Sequence, residues 1–169
     1  VIDVAAAVGD QPSAAIANGS VTSGKTNGLA IGNFASSGSN QSIAIGYYSV
    51  ATATEADPAL PATAVGAGAN ATGQSTVALG LLAQATSGST TALGAKSVAS
   101  EDAAVAVGYG TKATGNYASA LGADATASNN DATAFGHGTV ASGGSSTALG
   151  SRAKAGGTAG VGIGMLANA

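Results

Sequence analysis

The sequence predicts an all-β protein, a flattened parallel β-roll of about twelve 14-residue coils that spans residues 1–169 as a single domain. Three observations support this prediction: a tripeptide that returns at a fixed step, small residues that alternate within each copy, and a composition dominated by two very small residues. Ala accounts for 42 positions and Gly for 27, whereas Leu, Ile, Val and Phe together number 29. So little bulk excludes a thick core, and a charged fraction of 8% is too low to keep the chain open by charge repulsion.

The fixed step belongs to the tripeptide Ala–large apolar–Gly, whose Gly we term the repeat glycine. It recurs at every fourteenth position from Gly66 to Gly164. The preceding step, from Gly46 to Gly66, is six positions longer, which indicates an inserted loop at 52–61. Two of the three prolines fall in this loop, and because Pro cannot donate to a strand ladder, the loop must leave the roll at a turn. Residues 1–29 continue the pattern as degenerate copies.

The positions within each copy indicate strands. Residues three and five positions after the repeat glycine, such as Ala83 and Ala85, are small, and their period of two is that of a strand. Because the facing strands of so tight a coil leave little space, these small residues are predicted to fill its interior. A Gly in every copy costs about 1 kcal/mol relative to Ala in a helix, which argues against a helical solenoid. One copy then supplies two strands of about five residues and two turns of about two, with coils stacked about 4.8 Å apart. A three-sided helix of hexapeptides has the wrong period, and the G-G-x-G-x-D sequence of calcium-binding rolls is absent.

The two faces of the strands are assigned by side-chain size. The large residue before each repeat glycine, for example Leu93, is predicted to lie inside the roll and to supply most of its bulk. The Ala that precedes it must then face outward. Because a roll with so little bulk per coil needs further burial, this outward stripe is predicted to contact other copies of the chain. The predicted interface residues are Ala44, Ala64, Ala78, Ala92, Ala106, Ala120, Ala134 and Ala148.

One copy, Gln41-Ser42-Ile43-Ala44-Ile45-Gly46-Tyr47-Tyr48-Ser49, resembles the N-S-V-A-I-G-x-x-S motif of the heads of YadA-like trimeric autotransporter adhesins. Looser copies are Thr76-Val77-Ala78-Leu79-Gly80 and Ala104-Val105-Ala106-Val107-Gly108. The resemblance implies a YadA-like head repeat domain, folded as a left-handed parallel β-roll and assembled as a homotrimer. It also implies display on the outer membrane of a Gram-negative bacterium and binding to host extracellular-matrix proteins such as collagen, fibronectin or laminin. The stalk and the membrane anchor are expected outside this sequence, because the repeat pattern runs to both of its ends.

No catalytic, cofactor-binding or metal-binding residues are predicted. The chain has no Cys and one His, and His137 follows a repeat glycine at a position where Asn, Tyr and Leu also occur. A catalytic His needs a partner acid and a nucleophile, so His137 is interpreted as a variable turn residue. With five basic residues spread along the chain, no nucleic acid partner is expected.

Ligand contacts are instead expected from turn tyrosines and from the inserted loop. Tyr offers amphipathic contact area to a protein partner, and loops often carry function. The candidates are Tyr47, Tyr48, Tyr109, Tyr117, Glu55 and Asp57.

The sequence therefore favours a non-enzymatic adhesin head that attaches a bacterium to host matrix proteins or cells by many weak contacts. A structural spacer or a module for autoagglutination and biofilm formation stays open as an alternative. An ice-binding solenoid needs a regular Thr-x-Thr face, whereas the column eleven positions after the repeat glycine mixes residues such as Val77, Thr91 and Ser119. A solenoid acyltransferase is disfavoured by the 14-residue period.

Overall fold

The computed structural model describes residues 6–8, 14–23, 27–53 and 60–169, which form two parallel sheets of eleven strands each. These residues contain no helix, and therefore none that could cross a membrane. The predicted all-β parallel solenoid is confirmed, with eleven strands in each sheet against about twelve predicted coils.

The strands alternate between the two sheets along the chain. In chain order they are β1 (Ala6–Val8), β2 (Ala14–Ile16), β3 (Val21–Ser23), β4 (Leu29–Ile31), β5 (Ser36–Ser37), β6 (Ile43–Ile45), β7 (Val50–Ala51), β8 (Thr63–Val65), β9 (Asn70–Ala71), β10 (Val77–Leu79), β11 (Gln84–Ala85), β12 (Thr91–Leu93), β13 (Val98–Ala99), β14 (Val105–Val107), β15 (Lys112–Ala113), β16 (Ser119–Leu121), β17 (Thr126–Ala127), β18 (Thr133–Phe135), β19 (Val140–Ala141), β20 (Thr147–Leu149), β21 (Lys154–Ala155) and β22 (Val161–Ile163). The odd-numbered strands form one sheet, termed the odd sheet, and the even-numbered strands form the other, termed the even sheet.

Each coil runs through an even strand, a glycine turn that starts with the repeat glycine, an odd strand and a polar turn. In the coil that begins with β10, the glycine turn is 80–83 and the polar turn is 86–90. Because the strands have three and two residues, they are shorter than the predicted five, and the turns are longer than predicted. The glycine turns form one edge of the roll, the glycine edge, and the polar turns form the opposite edge, the polar edge.

Hydrogen bonds between coils continue through both edges. At the glycine edge the Leu82 amide donates to the Ala67 carbonyl at 2.9 Å, and at the polar edge the Ser89 amide donates to the Gln74 carbonyl at 2.8 Å. The turns are therefore stacked as regularly as the strands, and short strands suffice to hold successive coils together.

The register of the coils follows the repeat. Ala78 of β10 pairs with Ala64 of β8 on one side and with Ala92 of β12 on the other. The insertion does not shift this register, because β6 pairs directly with β8 and places Ala44 opposite Ala64.

The interior of the roll is filled by small side chains. In the coil around Gly80, the inward residues lie two positions before this glycine and three, five and ten positions after it. They are Ala78, Ala83, Ala85 and Thr90, each with 0% of its surface exposed. The expectation that the positions three and five after the repeat glycine point inward is thus confirmed.

The prediction that the large residue before the repeat glycine lies inside is wrong. Leu79 is 41% exposed and Phe135 is 50% exposed on the outer face of the even sheet, whereas the Ala before each of them is fully buried. The physical reason is the narrow cross-section of the coil. The space between the two sheets is filled by buried Ala, Ser and Thr side chains, so a methyl group fits there and a Leu side chain does not.

Hydroxyl groups can replace methyl groups in this interior because they bond to the nearest turn. The Thr90 hydroxyl donates to the Ser87 carbonyl at 2.9 Å, and the Ser97 hydroxyl donates to the Gly94 carbonyl at 2.8 Å. A buried hydroxyl with such a partner avoids the cost of desolvation without compensation. This pattern explains why Ala, Ser and Thr exchange freely at the inward positions.

Candidate functional surfaces

The outer face of the even sheet is an apolar stripe. It consists of the residue directly before each repeat glycine, together with the residue two positions earlier. The members directly before the glycine are Ile31, Ile45, Val65, Leu79, Leu93, Val107, Leu121, Phe135, Leu149 and Ile163. The second column adds apolar residues and hydroxyls but no charged side chain. Extended exposed apolar patches on soluble chains often mark sites of contact with other proteins.

The predicted interface through the eight alanines from Ala44 to Ala148 needs correction. Each of these alanines is at most 1% exposed within one chain, because it lies inside the coil. A second chain cannot contact a side chain that has no surface. The outward side chains on the same strands are those of the apolar stripe, so any contact between chains at this sheet involves the large residues.

The outer face of the odd sheet is different in character. Its outward residues include the exposed Gln84, Lys112 and Lys154. They also include the half-buried Val50 and Val98. Polar and charged groups thus interrupt the apolar residues on this face, and the even sheet is the more apolar side of the roll.

The glycine edge carries an aromatic cluster at its N-terminal end. The Phe34 and Tyr48 rings stack with their centroids 4.8 Å apart, and Tyr47 meets Tyr48 edge-on at 4.5 Å. All three rings are exposed. The sequence analysis identified Tyr47 and Tyr48 as candidates but not Phe34. The repeat indicates Phe34 as well, because Phe34 and Tyr48 both lie two positions after a repeat glycine and therefore stack in adjacent coils.

Two rings of this cluster sit in an unfavourable backbone conformation. Phe34 has φ +59° and Tyr48 has φ +53°, in the left-handed region that bulky residues rarely adopt. Gly68, Gly110 and Gly138 occupy the equivalent position in some coils, but Leu82 and Lys96 adopt the same conformation in others, with φ +56° and +59°. The left-handed conformation is therefore a property of the glycine turn, and the exposure and stacking of the rings distinguish the aromatic cluster.

The other tyrosine candidates lie apart from the cluster. Tyr109 is exposed on the glycine edge, where the Lys96 ammonium lies 5.7 Å from its ring centroid. Tyr117 is exposed on the polar edge, across the coil from the others. The structure thus divides the four tyrosines between two edges. Glu55 and Asp57 lie outside the described residues.

His137 is exposed in a glycine turn. Among the described residues, no group of three or more His, Cys, Asp or Glu side chains is placed to hold a metal ion.

The sequence matches the family described as "YadA head domain repeat (2 copies)" at residues 23–49, 61–83, 85–111, 113–139 and 141–167, which together make up most of the chain. The structure is similar to that of the collagen-binding domain of the Yersinia adhesin YadA, with a TM-score of 0.61 and 28% sequence identity. This similarity covers 83% of the present chain and 67% of the YadA chain. No curated protein sequence matches.

Proposed function

Because the chain belongs to the YadA head family, we propose that it is the adhesive head of a trimeric autotransporter on the outer membrane of a Gram-negative bacterium. Its ligands in this proposal are host extracellular-matrix proteins of the collagen, fibronectin or laminin class. The similarity to a domain described as collagen-binding makes collagen the first ligand to test. The membrane anchor belongs to a part of the adhesin outside this chain.

Trimer formation in this proposal uses the apolar stripe. Three copies that pack their even sheets around a common axis remove Leu79, Leu121, Phe135 and the other stripe residues from water. Each square ångström of apolar surface so buried contributes about 25 cal/mol. A single roll, whose interior holds little more than methyl and hydroxyl groups, gains comparatively little from its own core. The stripe therefore supplies burial that the coil interior does not.

The observation that supports adhesion is the exposed aromatic cluster of Phe34, Tyr47 and Tyr48 on a regular scaffold. The backbone of each coil repeats, while the outward residues at the glycine edge differ from coil to coil. A trimer presents every such contact three times on one rod. Linked weak contacts raise overall avidity by about 10²–10⁴ when all of them can be engaged together.

The test is solid-phase binding of the purified chain to immobilised collagen, fibronectin and laminin. We expect Tyr47→Ala and Tyr109→Ala each to lower apparent affinity by less than about tenfold, because many other contacts remain. A variant that cannot form trimers is expected to lose about 100-fold or more.

Two outcomes, one in this assay and one in an assay with chains displayed on cells, contradict the proposal. If one tyrosine substitution abolishes binding while the trimer persists, a discrete site replaces the avidity mechanism. If the trimer binds no matrix protein but makes cells aggregate when displayed on them, the module serves autoagglutination and not attachment to the host.

A further inference from the structure

A cleft of about 490 Å³ opens on the polar edge, in the middle of the roll. Residues of four successive coils line it, among them Gln74, Ser87, Asp102, Ala103 and Tyr117. It is remote from the aromatic cluster, which lies on the glycine edge. The cleft is polar, because amide, hydroxyl and carboxylate groups surround a single aromatic ring.

The cleft exists because small residues occupy its floor. Gly88 lies where the next coil has Asp102, and Ala103 lies where the next coil has Tyr117. Asp102 and Tyr117, the larger residues of the next coils, then form the sides of the cleft. Tyr117 is 65% exposed, and its φ of +58° is that of the same turn position in other coils, such as Ser89 and Ala103.

One carboxylate in the cleft is fixed by the protein. Asp102 Oδ1 accepts hydrogen bonds from the Ser87 hydroxyl and from the Gly88 amide, the latter at 3.1 Å. Both donors are neutral, so the charge of Asp102 is oriented by these contacts but not compensated by them. Glu101, directly before it, is also exposed and adds negative potential at this edge.

We propose that this cleft binds an arginine side chain of a partner protein, with the guanidinium paired to Asp102 and lying against the ring of Tyr117. A guanidinium is planar and carries five donors, so it can pair with a carboxylate and also reach amide and hydroxyl acceptors such as those of Gln74 and Ser89. Its flat face suits an aromatic wall. The chain already shows a cation over a tyrosine ring, at Lys96 and Tyr109. This inference names a chemical group and does not depend on which matrix protein the head binds.

The experiment is an NMR titration of the 169-residue chain with the peptide acetyl-Gly-Arg-Gly-amide. The matched probe is the same peptide with citrulline, which keeps the shape of arginine without its charge. We expect saturable shifts of the Gly88, Asp102, Ala103 and Tyr117 amides with the arginine peptide in the millimolar range, and none with the citrulline peptide.

Two variants locate the binding. Asp102→Asn keeps an oxygen to accept from Ser87 and Gly88 but removes the charge, and it is expected to weaken binding at least about fivefold. The matched control is Glu101→Gln, which removes a negative charge one residue away. Because salt screens an exposed charge that does not touch the ligand, this variant is expected to weaken binding less than twofold. Tyr117→Ala should weaken binding without a change in the shifts of the remaining coils.

The proposal is overturned if the citrulline peptide binds as tightly as the arginine peptide. It is also overturned if both acidic variants weaken binding equally, because the attraction is then diffuse. If the chain binds the arginine peptide but no matrix protein, the adhesin proposal fails and the cleft proposal stands. The two proposals can therefore fail separately.

Discussion

At the scale of single residues, the repeat glycine is the position with the strictest requirement. Gly122 has φ +126°, and a Cβ atom built there would lie 2.6 Å from the Gly136 carbonyl oxygen of the next coil. Both the backbone conformation and the backbone of the neighbouring coil therefore exclude a side chain. Because Gly136 has the same relation to Gly150, one requirement is repeated along the glycine edge.

We predict that Gly122→Ala lowers the free energy of unfolding by at least about 2 kcal/mol, because it adds backbone strain and a contact that only a backbone shift can relieve. The matched control is Gly144→Ala, since a Cβ there meets no atom within 4 Å. The control is expected to stay within about 0.5 kcal/mol of the parent. Thermal and denaturant unfolding measure the stability of both variants. Equal stabilities of the two variants would show that the neighbouring coil can move aside.

At the scale of elements, a strand ladder crosses the insertion without interruption. On its two sides β6 pairs with β8 and β7 pairs with β9, in the same register as everywhere else. Val50 lies opposite Asn70, although six more positions separate them than separate the paired residues of later coils. The insertion lies in the chain between β7 and β8 and leaves the alignment of the strands on its two sides unchanged.

We predict that the ten residues 53–62 can be replaced by the four residues Gly73-Gln74-Ser75-Thr76 of the next polar turn without loss of fold. The replacement restores the regular spacing of the repeat and supplies a Thr at the buried position before β8. Circular dichroism and light scattering are expected to match the parent. A deletion of 54–58 leaves a coil of 15 residues, the spacing at which Ala14 of β2 pairs with Leu29 of β4, and it is expected to fold as well. Loss of the strand signal in the replacement would show that residues 53–62 are needed for the fold.

At the scale of the whole molecule, the roll has one apolar face without charged side chains and one face that mixes polar and charged residues with Val. Leu121, on β16, is 39% exposed and belongs to the apolar stripe, whereas Gln84, on β11, is exposed on the outer face of the odd sheet. If copies associate through the stripe, only the first of these positions becomes buried. A charge there has to leave water without a partner, which is costly.

We predict that Leu121→Glu converts the proposed trimer to single chains, while Gln84→Glu leaves the association of chains unchanged. Light scattering reads the mass, and circular dichroism reports whether the dissociated chain keeps its strands. A Leu121→Glu protein with the mass and melting temperature of the parent would place the contact between chains on another face.

The sequence by itself determined the parts of the fold that depend on spacing. The constant step between repeat glycines set the register, a period of two indicated strands, and the recurring Gly marked the turn where no side chain fits. The positions of Ala83 and Ala85 in the interior were predicted from their small size, because a tight coil leaves little space between its strands. These features are local or periodic, so they can be read along the chain without knowledge of its cross-section.

The tertiary structure alone decided which face of the even strands points inward. A period of two permits two orientations, and the larger side chain, Leu79 for example, was predicted to be buried because burial of bulk is usually favourable. The opposite orientation is found because the space between the two sheets is filled by small side chains, such as the methyl group of Ala78. The cleft was equally hidden from the sequence. Asp102 meets Ser87 and Gly88 only because successive coils stack, which brings together residues 14 and 15 positions apart.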